Sequence, residues 1–223
     1  MPLFLSTDQA DFEARFAAML GIKREEAEDV DQTVAAIIAD VRARGDAALI
    51  ELTRRFDRFE VTELAFSAAE IAAECAKVSS DDRAALELAA TRIRAYHARQ
   101  MPQDAAWTDE AGATLGWRWT PVSAAGLYVP GGLASYPSSV LMNAIPAKVA
   151  GVERLVICCP TPGGVVNPLV LLAAQIAGVD VIFRVGGAQA IAALAYGTES
   201  IAPVDKITGP GNAYVAAAKR RVF

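Results

Sequence analysis

Three short glycine-rich stretches hold the residues of this sequence best suited to chemistry. They are Val-Pro-Gly-Gly at 129–132, Val-Gly-Gly-Ala-Gln at 185–189 and Thr-Gly-Pro-Gly-Asn at 208–212. Each follows a β-type run and leads into an alanine-rich helical run. In a parallel sheet such junctions gather at the carboxyl edge, where open α/β sheets bind ligands. Each also presents a helix N-terminus, with free N–H groups and about half a positive charge. Three on one edge suit an extended anionic ligand such as a dinucleotide. Tyr128, Gln189 and Asn212 lie in or beside these stretches. A tyrosine there can stack on a nucleotide or hydrogen-bond to it, and the two amides can contact ligand. Each feature also has a purely structural reading: glycine supplies positive φ in a strand-to-helix turn, and an amide caps a helix. None of the three loops is a G-x-G-x-x-G fingerprint or a Gly-Lys-Ser/Thr phosphate loop. The ribose-binding acid of the usual dinucleotide site is missing too, because Cys159 and Pro160 stand where it belongs.

Metal and acid–base chemistry find less support. His97 is the only histidine and reads as a surface or packing residue of a long helix. With Cys75, Cys158 and Cys159 it forms no zinc-site spacing, and no Gly-x-Ser-x-Gly elbow or Cys/His pair occurs. Cys158 and Cys159 are neighbours on one strand and point to opposite faces, so both read as core packing. The charged runs at 24–29 and 54–60 read as solvated faces. Taken alone, the residues support binding more than catalysis.

The elements that must position these loops change period near residue 122. The first half reads as helical. Ser6 and Gln9 form a possible capping box ahead of Phe12, Phe16 and Leu20. Asp31 is placed to cap a helix carrying Val34, Ile37, Ile38 and Val41, which stops at Gly45. Asp46 is placed to cap another helix running to about Phe56. Ser80 starts a long one with Leu86, Ile93 and Tyr96 inward, ended by Pro102. A hairpin or strand follows at about 104–123, where Trp117 and Trp119 would share one face. The second half alternates β-type and helical runs: 126–129 then 137–150, 154–159 then 165–177, 180–185 then 188–196, 205–208 then 212–221. Unbroken apolar runs such as Leu-Val-Ile-Cys-Cys predict a parallel sheet covered on both faces. Pro146 inside 137–150 removes a helical hydrogen bond; Ser138, Ser139 and Asn143 are placed to satisfy freed carbonyls. The expected division is a mainly helical region over 1–122, part of a larger domain, and a Rossmann-like nucleotide-binding domain over 123–223.

The 223 residues are 53% hydrophobic and 21% charged, an ordered globular composition. No run is apolar enough to span a bilayer, and no basic-then-apolar leader opens the sequence, so the cytoplasm is the expected compartment. Residues 1–120 hold 14 Lys/Arg against 22 Asp/Glu, while residues 121–223 hold 7 against 4. That mildly positive second half suits an anionic cofactor but is too weak for nucleic acid.

The blocks GLYVPGGLASYPSSVLMNAIPAKVAGV, FRVGGAQAIAALAYGTESI and VDKITGPGNAYVAAAKR closely resemble histidinol dehydrogenase, as does the earlier VRARGDAALIELTRRFD. The resemblance implies a zinc-dependent, homodimeric enzyme that oxidises L-histidinol to L-histidine with two NAD in succession through a bound aldehyde. It makes Tyr128, Gln189 and Asn212 the NAD contacts. It also implies an incomplete Rossmann-like α/β fold related to the aldehyde dehydrogenases. The family's Ala-Gly-Pro-Ser-Glu segment, zinc ligands and Glu-His acid–base pair follow the last of these blocks. They do not occur here, so catalytic and metal residues are expected outside this chain. A helix ending at Phe223 leaves the sheet without a following strand, and the chain is expected to be part of a longer one. Two alternatives remain open: a sister zinc/NAD dehydrogenase acting on another small polar alcohol, and a non-catalytic NAD-binding module.

Overall fold

The computed structural model describes residues 4–131 and 136–223, with the side chains of residues 21–28 excepted; Gly132 of the first glycine stretch and most of the 24–29 run therefore lie outside the description. The chain opens with α1 (Phe12–Arg44), α2 (Asp46–Asp57), α3 (Ala68–Cys75) and α4 (Ser80–Ala98). A hairpin follows, β1 (Ala105–Thr108) and β2 (Thr114–Trp117). The remainder alternates β3 (Ala124–Tyr128), α5 (Pro137–Val149), β4 (Arg154–Cys158), α6 (Pro168–Ala177), β5 (Val181–Phe183), α7 (Gly187–Tyr196), β6 (Lys206–Thr208) and α8 (Ala213–Arg221).

The four strands β3–β6 form a parallel sheet in the order β5-β4-β3-β6. The residues of the two inner strands, β3 and β4, are almost all buried, as expected for strands covered on both faces, while those of the edge strand β6 are not. One core layer joins α1, α2, α7 and α8 to one face through residues such as Ile38, Leu49, Cys158, Ile191 and Val215. The other joins α4, α5 and α6 to the opposite face through Leu127, Ile145, Leu155, Cys159 and Leu172. Cys158 and Cys159 thus divide between the faces, and all three cysteines are buried and free. The apolar stripe Val34, Ile37, Ile38 and Val41 of α1 is covered by α7 and α8.

Several local expectations give way to packing. No break occurs at Asp31: α1 runs through it, and the carboxylate accepts Arg221 Nε at 2.8 Å instead of capping a helix. The Ser6–Gln9 box does not form, and α1 begins at Phe12 with no side-chain cap; likewise Asp46 is the first residue inside α2 and does not cap it, Gly45 standing at the cap position. Tyr96 faces solvent rather than the core, whereas Leu86 and Ile93 do pack inward. Trp119 lies beyond the end of β2, its N–H held by Asp104, so it shares no strand face with Trp117; the latter meets Trp107 edge-on at 5.2 Å. Residues 64–66 form an antiparallel rung beside β5, with Phe66 N–H donating to Ile182 and Arg184 N–H to Leu64. This short pairing lacked any periodic signal. Helix α5 accommodates Pro146, and Asn143 Nδ2 donates to the Ser139 carbonyl at 2.7 Å.

The connections explain where a ligand can sit. From β3 the chain moves outward to β4 and β5, then returns to place β6 on the other side of β3. Helix α5 therefore leaves β3 over one face and α8 leaves β6 over the other. Strands that diverge in this way open a crevice at their carboxyl ends.

Candidate functional site

A cleft of about 750 Å³ opens at that edge. Its floor is Tyr128, Gly131, Pro160 and Pro162 from the strand ends, and one wall is Gly187, Ala188, Gln189, Asn212 and Tyr214 from the starts of α7 and α8. Thr33, Ala36 and Ile37 of α1 and Arg55, Phe56 and Asp57 of α2 make the opposite wall. A neighbouring hollow of about 460 Å³ shares Tyr128, Gly131 and Asn212 and extends to Tyr136, Ser139 and Pro210. The three residues singled out in the sequence, Tyr128, Gln189 and Asn212, therefore meet in one cleft.

Two glycines allow the loops to come so close. A Cβ on Gly131 would lie 2.3 Å from the Pro160 carbonyl, so this position needs glycine for space rather than for positive φ. Gly209 needs it for both: its φ is +112°, and a Cβ would lie 2.1 Å from the Tyr128 carbonyl. Lys219 Nζ ties the same loop down, donating to the Gly209 carbonyl at 2.5 Å.

The polar groups are held unevenly. Tyr128 is buried at the end of β3, and its hydroxyl oxygen accepts the Gly187 N–H at 3.1 Å. Burial pushes the phenol above its ordinary value, with the Gly187 N–H opposing, so it stays protonated with its O–H free to donate. Asn212 caps α8, its Oδ1 accepting Val215 N–H at 3.1 Å, which leaves the amide NH₂ for another partner. Gln189 is 2% exposed, and its Oε1 has no hydrogen-bond partner. Asp57 also carries a buried, unpartnered oxygen, and burial raises its carboxyl above the ordinary range, opposed by the Thr161 N–H. Buried polar atoms are nearly always satisfied, so these two, on residues lining one cleft, are open to a hydrogen-bond partner from outside the chain, ligand or water.

Comparison with known proteins decides the family. A family model described as histidinol dehydrogenase matches residues 22–223. The histidinol dehydrogenases of Cereibacter sphaeroides and Ruegeria pomeroyi are 77% and 74% identical over 225 aligned residues, covering 100% of this chain and 52% of each relative. The chain belongs to the histidinol dehydrogenase family. It spans about half the length of these curated relatives. The crystal structure of histidinol dehydrogenase from Elizabethkingia anophelis superposes with a TM-score of 0.83 at 38% identity, over 86% of this chain and 44% of that one.

In this member of the family the donor set of the cleft is of a kind that suits a dinucleotide. Phenol, amide groups and the start of α7 offer donors, while Pro160, Pro162, Phe56 and Ile37 offer apolar surface. It does not suit zinc: among the described residues no three His, Cys, Asp or Glu side chains gather to hold a metal ion. His97 lies in the last turn of α4, its Nδ1 2.6 Å from Gln100 Oε1 and outside the lining of either hollow. Among the described residues no helix is long and apolar enough to cross a membrane. The reading of 54–60 as a solvated face requires correction, because Arg55, Phe56 and Asp57 line the cleft. Nothing in their spacing signals this; it follows from packing the end of α2 against the turn after β4.

Proposed function

We propose that this chain is the NAD-binding half of a cytoplasmic histidinol dehydrogenase, which oxidises L-histidinol to L-histidine through a bound aldehyde, the closing steps of histidine biosynthesis. The observation carrying this reading is the convergence of Tyr128, Gln189 and Asn212 on one cleft at the carboxyl edge of the sheet, in a chain of that family. Residues 123–223 act as the Rossmann-like nucleotide-binding domain, related to that of the aldehyde dehydrogenases. Residues 1–122 belong to a larger domain and lend α1 and α2 to the cleft wall.

NAD bound here supplies the hydride acceptor. Tyr128 donates its free hydroxyl proton to a ligand oxygen and offers its ring as an apolar wall. Gln189 accepts a ligand N–H or O–H at Oε1, and Asn212 donates from the amide nitrogen left over by capping. The N-terminus of α7 adds a favourable field for phosphate. The proline and isoleucine surfaces exclude water from the reacting face. Zinc ligands and the acid–base pair are assigned to sequence outside these 223 residues, and the active species is taken to be a homodimer with a small-molecule substrate, neither nucleic acid nor membrane being a partner.

The test is NADH formation from L-histidinol by the full-length protein, with and without chelator. Two NADH per histidinol, lost on zinc removal, is the expected result. Intact NAD binding with no turnover of histidinol would transfer the reading to a dehydrogenase of another alcohol. Absence of NAD binding would overturn it.

A further inference from the structure

The usual dinucleotide site places an acid at the end of the second strand of the parallel sheet, where it holds the hydroxyls of the adenosine ribose. Here the second strand, β4, ends at Cys158 and runs on through Cys159 and Pro160, with no carboxylate. We propose that Asp57, delivered from α2, supplies the missing acid and holds the adenosine-ribose diol. The proposal rests on the NAD-binding reading of the cleft.

Three observations place Asp57 there. Helix α2 ends at Asp57, and Arg58 turns the chain away in the left-handed region, at φ 52°. Phe59 then packs under the 3-10 turn Pro162–Gly164 that follows β4; a Cβ on Gly164 would lie 2.7 Å from its ring. The end of α2 is thereby clamped to the end of the second strand, and Asp57 lines the cleft beside Pro160 and Pro162. Finally, polar atoms on the two walls of the cleft and in the turn after β4 are left unmatched. Among the described residues, six buried side-chain polar atoms lack a partner, and Asp57 Oδ2, Thr161 Oγ1 and Gln189 Oε1 are three of them. Thr161 is 1% exposed and stands between the two lining prolines. A carboxylate in this setting calls for donors, and a vicinal diol offers two O–H groups spaced to meet it. A 2′-phosphate would instead bring a dianion against the same carboxylate, so the geometry selects NAD over NADP.

The experiment is calorimetric titration of the full-length protein with NAD⁺, 2′-deoxy-NAD⁺ (lacking the adenosine 2′-hydroxyl) and NADP⁺. The unmodified protein is expected to prefer NAD⁺ over either analogue by at least ~10-fold, the size of one hydrogen bond to a charged group. In Asp57→Asn, and further in Asp57→Ala, that preference is expected to fall to within ~2-fold, because the distinguishing bond is gone. A preference that survives both substitutions assigns the ribose to another residue and overturns this proposal while the NAD reading stands. An unmodified protein that binds NAD⁺ and 2′-deoxy-NAD⁺ equally overturns it without any variant. A protein that binds none of the three removes the NAD reading and this inference together.

Discussion

The two faces of the central sheet are covered by four helices each, yet their polar bookkeeping differs. Helices α3–α6 bury an apolar layer, and none of their side chains is among the unpartnered buried polar atoms. On the face made by α1, α2, α7 and α8, four such atoms occur on two helices: Asp46, Thr53 and Asp57 on α2 and Gln189 on α7. Asp46 and Thr53 lie outside the lining of the cleft, whereas Asp57 and Gln189 face it. The difference teaches where stability and binding are separated. One face has been completed by its own side chains, and the other keeps unmatched polar atoms, two of which, on Asp57 and Gln189, belong to residues that line the cleft.

The sharpest way to break that comparison is to damage the sealed face. Leu172 is fully buried between α6 and the sheet. Leu172→Ala is expected to destabilise the full-length protein by about 2–5 kcal/mol through lost transfer energy and a residual cavity. NAD affinity of the folded fraction should stay within ~2-fold, since nothing near the cleft is removed. Denaturant unfolding and calorimetry read the two quantities separately. A parallel loss of affinity would mean that the two faces are mechanically coupled and that the division is false.

Gln189→Leu tests the open face and should move the two quantities in opposite directions. The substitution replaces a buried carbonyl lacking a partner by apolar surface of similar size, in a wall of alanine and isoleucine. Apolar replacement of an unsatisfied group is neutral or stabilising, here by up to about 1 kcal/mol. The same change removes an acceptor from the cleft, so NAD affinity should fall ~10-fold. Thermal unfolding with and without NAD checks both: the midpoint of the free protein holds or rises, and its displacement by the ligand shrinks. A fall in the free midpoint would show that Gln189 has a structural partner, and that this face is closed after all.

How far this arrangement was legible in the sequence depends on which forces fix each part. The alternating apolar runs after residue 122 locate every strand and helix of β3–α8 to within a few residues, because a buried parallel strand can be read from its own composition. The meeting of Tyr128, Gln189 and Asn212 in one cleft was legible for the same reason: they sit at fixed offsets from those junctions, and topology brings the junctions together. Asp31 was misread because a carboxylate at a plausible cap position and one paired with a residue 190 positions away look identical locally. Asp57 and Phe56 were missed because their place in the cleft comes from the docking of α2 on the turn after β4, and the charged stretch around them reads as a solvated surface. The rung at 64–66 was missed because two backbone hydrogen bonds at a sheet edge leave no periodicity.

The smallest expected effect compares two carboxylates, one on each face. Glu70, at the start of α3, accepts Arg184 at 2.7 Å and both the N–H and hydroxyl of Ser67 at 2.8 Å. The Arg184 guanidinium, with Ser67 behind it, holds the Glu70 carboxyl down at about 2 from an ordinary 4.5. A folded value below the unfolded one means that this group's stabilisation is present above the ordinary 4.5 and is lost as pH falls toward about 2. Glu70 is roughly half exposed, so after screening by solvent the gain is no more than about 1 kcal/mol. Asp57 is shifted the other way by burial, so the folded protein binds its proton more readily than the unfolded chain does. Its contribution therefore becomes less favourable as pH rises from its ordinary 3.8 through the raised folded value. The stability difference between unmodified protein and Glu70→Gln should shrink on acidification, while Asp57→Asn should be the more stable of its pair at neutral pH and lose that advantage in acid. Chemical unfolding across the acid range reads both slopes. Slopes of the same sign would mean that Asp57 has found a donor within the protein, and the contrast between a completed face and an open one would then end at Gln189.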